Sequence, residues 1–145
     1  MKLSSRIAAA ALAASFFLVA PAVAMAAATP ATVSKPLVMK LQSGQFGPVL
    51  ATRTNQALYY WTPEKKDFRI HCTGQCAKLW PPLIVPSGTS VPVRLPGFSG
   101  RFGRIKRPDG RMQLTYNRLP LYTYVHDGPG QVFCNNVDGW FVVRA

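Results

Sequence analysis

The chain writes one pattern twice. Ser43-Gly44-Gln45-Phe46-Gly47 returns as Ser99-Gly100-Arg101-Phe102-Gly103. Leu58-Tyr59-Tyr60-Trp61-Thr62-Pro63-Glu64 returns as Leu121-Tyr122-Thr123-Tyr124-Val125-His126-Asp127. Trp80 and Trp140 hold comparable late positions, and the second copy is longer by the segment Lys106 to Arg111. A unit this short cannot bury its own apolar face, so two copies are expected to pack together. Within each copy the apolar residues alternate. In an extended chain Tyr59 and Trp61 share one face, and Leu58 and Tyr60 share the other. With few helical patterns elsewhere, the expected fold is mostly β: two related antiparallel β-rich repeats packed as one small domain over residues 38–145. Repeat one spans about 38–85, a Pro- and Ser-rich linker 86–96, and repeat two about 97–145.

Turn chemistry marks the elements. Val38 to Leu41 reads as a strand, and Ser43 to Pro48 breaks it. Pro108-Asp109-Gly110 predicts a tight turn, because Pro presets φ and Gly accepts a positive one. Met112, Leu114 and Tyr116 then fall on one face of a strand. Leu121 to Val125 reads as a second aromatic strand and Trp140 to Val143 as a terminal one.

Lys2 and Arg6 precede an uncharged apolar run from Ile7 to Ala20, then Pro21 and successive Ala-x-Ala sites between Ala22 and Ala28. This layout predicts a cleaved secretory signal over residues 1–28 and a flexible leader over 29–37. The run is shorter than the ~20 apolar residues that span a bilayer, so no transmembrane segment is expected after processing. Losing Lys2 and Arg6 lowers the formal net charge from +12 to +10. A surface this basic favours polyanions. Export, to the periplasm or beyond the cell, makes an anionic envelope component the expected partner and nucleic acid not. Arg101, Arg104, Lys106, Arg107 and Arg111 crowd one hairpin opposed by Asp109 alone, which marks a candidate anion-binding tip.

Cys72 and Cys76 flank Thr73-Gly74-Gln75, and Thr73 to Leu79 has room for one or two helical turns before Pro81. In an oxidising compartment this pair is expected to form a disulfide. A Cys72–Cys134 bridge tying the copies together is the alternative. The first pairing leaves Cys134 odd: a free thiol, an intermolecular bridge or a metal ligand. Cys134 with His71, His126 and Met112 would suit copper or zinc. Ligand spacing such as Cys-x-x-Cys is absent, so no metal or other cofactor is expected. The acids are Glu64, Asp67, Asp109, Asp127 and Asp138. Glu64 and Asp127 hold equivalent places and are expected to cap turns rather than form a catalytic pair. No nucleophile elbow, phosphate loop or His-Glu-x-x-His occurs, and no catalytic residue is predicted. Tyr59, Trp61, Tyr122 and Tyr124 are expected to fill a small core rather than offer a sugar platform.

Taken together these residues resemble a secreted-repeat lipoprotein family marked by Tyr-x-(Phe/Trp/Tyr)-x-x-Asp. The motif stands here at Tyr59, Trp61 and Glu64 and again at Tyr122, Tyr124 and Asp127. The family signature Cys-(Ser/Thr)-Gly-x-Cys-Ala-x-x-Trp-Pro-Pro is met by Cys72 to Pro82. Glu64 replaces the motif Asp, the lipid-bearing cysteine of many members is absent, and Cys134 stands where the family has a Gly-rich stretch. The resemblance implies an exported bacterial envelope protein without an agreed activity. The expected function is a non-catalytic binding or interaction module with a basic hairpin. The competing reading is a redox or metal-handling protein using Cys134 with nearby histidine.

Overall fold

The computed structural model describes residues 36–145. The signal segment expected at 1–28, and all of the leader before Pro36, lie outside the described residues. Strands β1 (Val38–Ser43) and β2 (Gly47–Thr52) form a hairpin with Val38 opposite Thr52 and Ser43 opposite Gly47. Val49, Leu50 and Ala51 are fully buried. Strand β2 has neighbours on both sides: β1 on one, and bridges to Ala57 and Arg144 on the other. Strand β3 (Tyr59–Trp61) pairs with β8 (Trp140–Val142). A 3-10 turn, Thr62–Lys65, follows β3, opened by Pro63 at its start. Helix α1 is the short Gln75–Leu79 turn. Strands β4 (Ile84–Val85), β5 (Phe102–Lys106) and β6 (Met112–Tyr116) form a sheet in the order β4-β6-β5, and β7 (Leu119–Pro120) also pairs with β6. All pairings of these strands are antiparallel, and the fold is mostly β with one small helix beside the cysteines.

One expected strand differs. Leu121 to Val125 does not continue as a ladder; Tyr122 instead makes single bridges to Tyr59 and to Pro82. It sits where two segments from the first half of the chain converge, and each takes one side of its backbone.

The backbone bonding around Leu50 recurs around Leu114. Leu50 N donates to Val143 O, Val143 N to Leu58 O and Leu58 N to Leu50 O, at 2.8, 2.8 and 2.9 Å. Leu114 N donates to Leu83 O, Leu83 N to Leu121 O and Leu121 N to Leu114 O, at 2.8, 2.9 and 3.0 Å. In each ring the third member comes from the other half of the chain. Val143, from the end, completes the first hairpin; Leu83, just beyond the cysteine stretch, completes the second.

Two apolar clusters result. One holds Val38, Leu50, Leu58, Leu114, Leu121 and Val143. The other holds Val49, Ala57, Tyr59, Cys72, Trp80, Tyr122, Trp140 and Val142. Alternation along β3 sends Tyr59 and Trp61 to the second cluster and Tyr60 to the first. Each fully buried leucine contributes about 1.5–3 kcal/mol by leaving water.

Candidate functional site

The two aromatic motifs meet at their tyrosines. Tyr59 N donates to Tyr122 O at 2.8 Å and Tyr122 N to Tyr59 O at 3.0 Å. The side chains then cross. The Tyr59 hydroxyl donates to Asp127 Oδ2 at 2.5 Å, and the Tyr122 hydroxyl to Glu64 Oε1 at 2.8 Å. Each motif's phenol is thus held by the other motif's acid. Glu64 also accepts the backbone N–H groups of His71 and Cys72, at 2.8 and 3.1 Å, and Asp127 accepts that of Phe133 at 3.0 Å. Both acids are buried. Burial, followed by the hydrogen bond to Asp127, pushes the Tyr59 phenol well above its ordinary value. Burial and then the Glu64 charge do the same to Tyr122. Burial also raises the Asp127 carboxyl, against the pull of the Tyr59 and Phe133 donors. Both acids thus hold a phenol and backbone amides, while the buried Glu64 Oε2 has no hydrogen-bond partner.

The aromatic rings pack into a column. Trp61 stacks on Trp140 at 5.5 Å and Trp140 on Trp80 at 3.8 Å, while Tyr124 meets Trp80 tilted by 30° at 4.6 Å between centroids. Tyr59 meets Trp80 edge-on and Tyr122 meets Trp140 edge-on. Such pairs add about 0.5–1.5 kcal/mol each beyond area burial. Trp61, Trp80 and Tyr124 belong to the core cluster or pack against it. The sequence placed Trp80 and Trp140 at matching positions but gave no sign that they touch.

Cys72 and Cys76 form the disulfide, with Cα atoms 5.2 Å apart. Cys134 is free and half-buried against the same cluster. Tyr124 packs against the same cluster, and its phenol is pushed upward chiefly by the neighbouring Cys134. His71 is exposed and faces Asp67 at 3.0 Å, while His126 lies edge-on to the Tyr124 ring. Among the described residues no three His, Cys, Asp or Glu side chains gather as a metal would need.

The basic hairpin forms as the Pro108-Asp109-Gly110 turn predicts, but its cations divide. Arg107 turns inward and is 4% exposed. It donates through Nη1 to Gln113 Oε1 and through Nη2 to Cys72 O, the latter at 3.1 Å, with Asp109 Oδ2 3.6 Å from its Nε. It therefore braces the disulfide loop rather than the surface. Gln113, which passes the chain of bonds to Leu121 O at 2.8 Å, carried no signal in the sequence. Arg111 chelates Asp109 and holds its carboxyl down to about 2. Arg101, Arg104 and Lys106 are exposed, the last two on β5, which ends its sheet. Among the described residues none of these three joins an ion pair.

Among the described residues no helix is long and apolar enough to cross a membrane. Comparison with curated proteins and with solved structures found no match to the chain. A family model described as a secreted repeat of unknown function matches residues 103–144. That stretch holds most of β5, all of β6 to β8, the Tyr122–Asp127 motif and Cys134, whereas the cysteine signature at 72–82 lies before it. Residues 103–144 thus match a secreted repeat of unknown function, the family that the motifs of the chain resemble.

Proposed function

We propose that this protein is an exported, non-catalytic module of the bacterial envelope that engages anionic surfaces through the β5 edge. The observation that carries the reading is the disposition of charge. Of the five acids, Glu64 and Asp127 are buried, Asp67 faces His71, Asp109 is taken by Arg111, and Asp138 alone is exposed and outside every ion pair among the described residues. Little negative charge remains to offset the exposed cations, and Arg101, Arg104 and Lys106 stand together on one edge. Charges on an edge strand also block strand-to-strand association, which is their alternative role. Arg107 is left out of the binding set because its guanidinium is spent on Cys72 and Gln113. The repeated backbone rings support reading the domain as two related repeats that exchange their third strands.

Co-sedimentation with anionic and with neutral vesicles, at low and moderate salt, tests the proposal. Salt-sensitive binding to the anionic vesicles alone is expected, weakened by R104E with K106E. Equal binding to both, or none, ends it. A redox role for Cys134 is favoured by one observation, its packing in the cluster that holds the disulfide. Titration of native protein with a thiol reagent decides that case, since a buried, unreactive thiol removes it.

A further inference from the structure

A cavity of about 430 Å³ opens beside Tyr60, Lys65, Phe68, Tyr116, Asn117 and Arg144. That volume falls in the roughly 300–1,000 Å³ range of small-molecule sites. Its chemistry is divided. Aromatic rings line the wall, cations stand at the rim, and no acid lines it. Lys65 Nζ lies 5.2 Å from the Tyr60 ring centroid. The Arg144 guanidinium lies 5.7 Å from that of Phe46 and donates to the Phe46 carbonyl. Among the described residues neither cation joins an ion pair. Both are therefore positioned and uncompensated.

Backbone strain gathers at the same wall. Among the described residues, the non-glycine residues with positive φ are Asn55, Phe68, Asn117, Arg118, Asn136 and Asp138. Asn and Asp adopt this conformation readily; Phe and Arg do not. Phe68 and Arg118, with φ of 57° and 72°, are the exceptions, and the Arg118 guanidinium sits 3.8 Å from the Phe68 ring centroid. Phe68 is held by its N–H on Glu64 O at 2.8 Å, and Asn117, the residue before Arg118, by its N–H on Arg101 O at 2.7 Å. Strain kept up by surrounding bonds is a mark of a ligand site. Here it sets the Phe68 ring in the wall of the pocket, with the Arg118 guanidinium over that ring.

We infer that this pocket binds an anionic pyranose. Lys65, which lies over the Tyr60 ring in the free protein, turns with Arg144 to the sugar's carboxylate or phosphate, and the apolar face of the sugar takes its place on Tyr60 beside Phe68. Arg104 and Lys106 of β5 do not line this pocket. NMR titration of the purified protein with glucuronate, glucose 6-phosphate, glucose and inorganic phosphate tests the inference. Saturable shifts at Tyr60, Lys65 and Asn117 are expected with at least one of the two acidic sugars, and the tighter one identifies the source of the charge. Glucose is expected to bind at least about tenfold more weakly, as the loss of a charge-assisted hydrogen bond implies. Lys65 is exposed, so K65A is expected to fold normally and to weaken binding about tenfold, with K65R retaining it. R104A is expected to leave binding unchanged. The inference is overturned if neither acidic sugar binds, if glucose binds equally, if phosphate alone reproduces the shifts, or if R104A acts like K65A.

Discussion

Tyr59 and Tyr122 bond to each other through both backbone groups, while each hydroxyl reaches the acid of the other's motif. A tyrosine and an acid five residues apart therefore do not serve one another, although the sequence writes them as one motif. They bind the two halves of the chain together. This assigns the motif a structural task.

The buried phenols predict a loss of stability in alkali. Both are shifted upward from an ordinary value of 10.0. A group that keeps its proton longer when folded stabilises the fold below the unfolded value, and that contribution is lost as the pH climbs past it. Unfolding free energy is expected to fall above pH ~10 by about 1.4 kcal/mol per pH unit for each phenol. Urea midpoints measured between about pH 9.5 and 11.5 check this, and Tyr122→Phe is expected to make the slope shallower.

The disulfide closes a short loop. Loop-closure entropy puts its contribution at about 2 kcal/mol. Cys76→Ser is expected to lower stability by about that amount in chemical denaturation while leaving the fold intact. A much larger loss would mean that α1 and the Arg107 brace on Cys72 O depend on the bridge.

Gly100 is required by Tyr116. The Tyr116 hydroxyl accepts Gly100 N–H at 2.7 Å, and a Cβ at Gly100 would meet the ring at 2.2 Å. Tyr116 is buried and packs on Phe102, so the ring cannot move aside freely. Gly100→Ala is expected to cost roughly 1–3 kcal/mol, the usual range for overpacking. Thermal denaturation of the variant measures it.

Because each hairpin is completed by a segment from the other half, neither half should fold alone. Fragments 36–91 and 92–145 are expected to be unfolded separately by circular dichroism and to regain β structure when mixed. A folded single fragment would contradict the exchange of Leu83 and Val143.

The fold was readable wherever a local rule decides. Alternation placed Tyr59 and Trp61 on the core face, the Pro108-Asp109-Gly110 turn placed the β5–β6 hairpin, and four-residue spacing brought Cys72 to Cys76. What was not readable depends on long-range partners. Nothing local says that Asp127 serves Tyr59 rather than Tyr122, or that Arg107, among five clustered cations, turns inward to Cys72 O. The third-strand exchange was hidden for the same reason. Leu83 directly follows the cysteine stretch of the first repeat and bonds to Leu114 and Leu121 of the second.

Double-mutant cycles in denaturant unfolding test the crossed pairing most directly. Tyr59→Phe and Asp127→Asn are each expected to cost about 1–3 kcal/mol, as for buried groups losing a partner. The double variant is expected to show a coupling of about 0.5–3 kcal/mol, with a similar value for Tyr122 and Glu64. Tyr59 with Glu64, the pair within one motif, is expected to be additive to within about 0.5 kcal/mol. Strong coupling of Tyr59 to Glu64 with none to Asp127 would contradict the account.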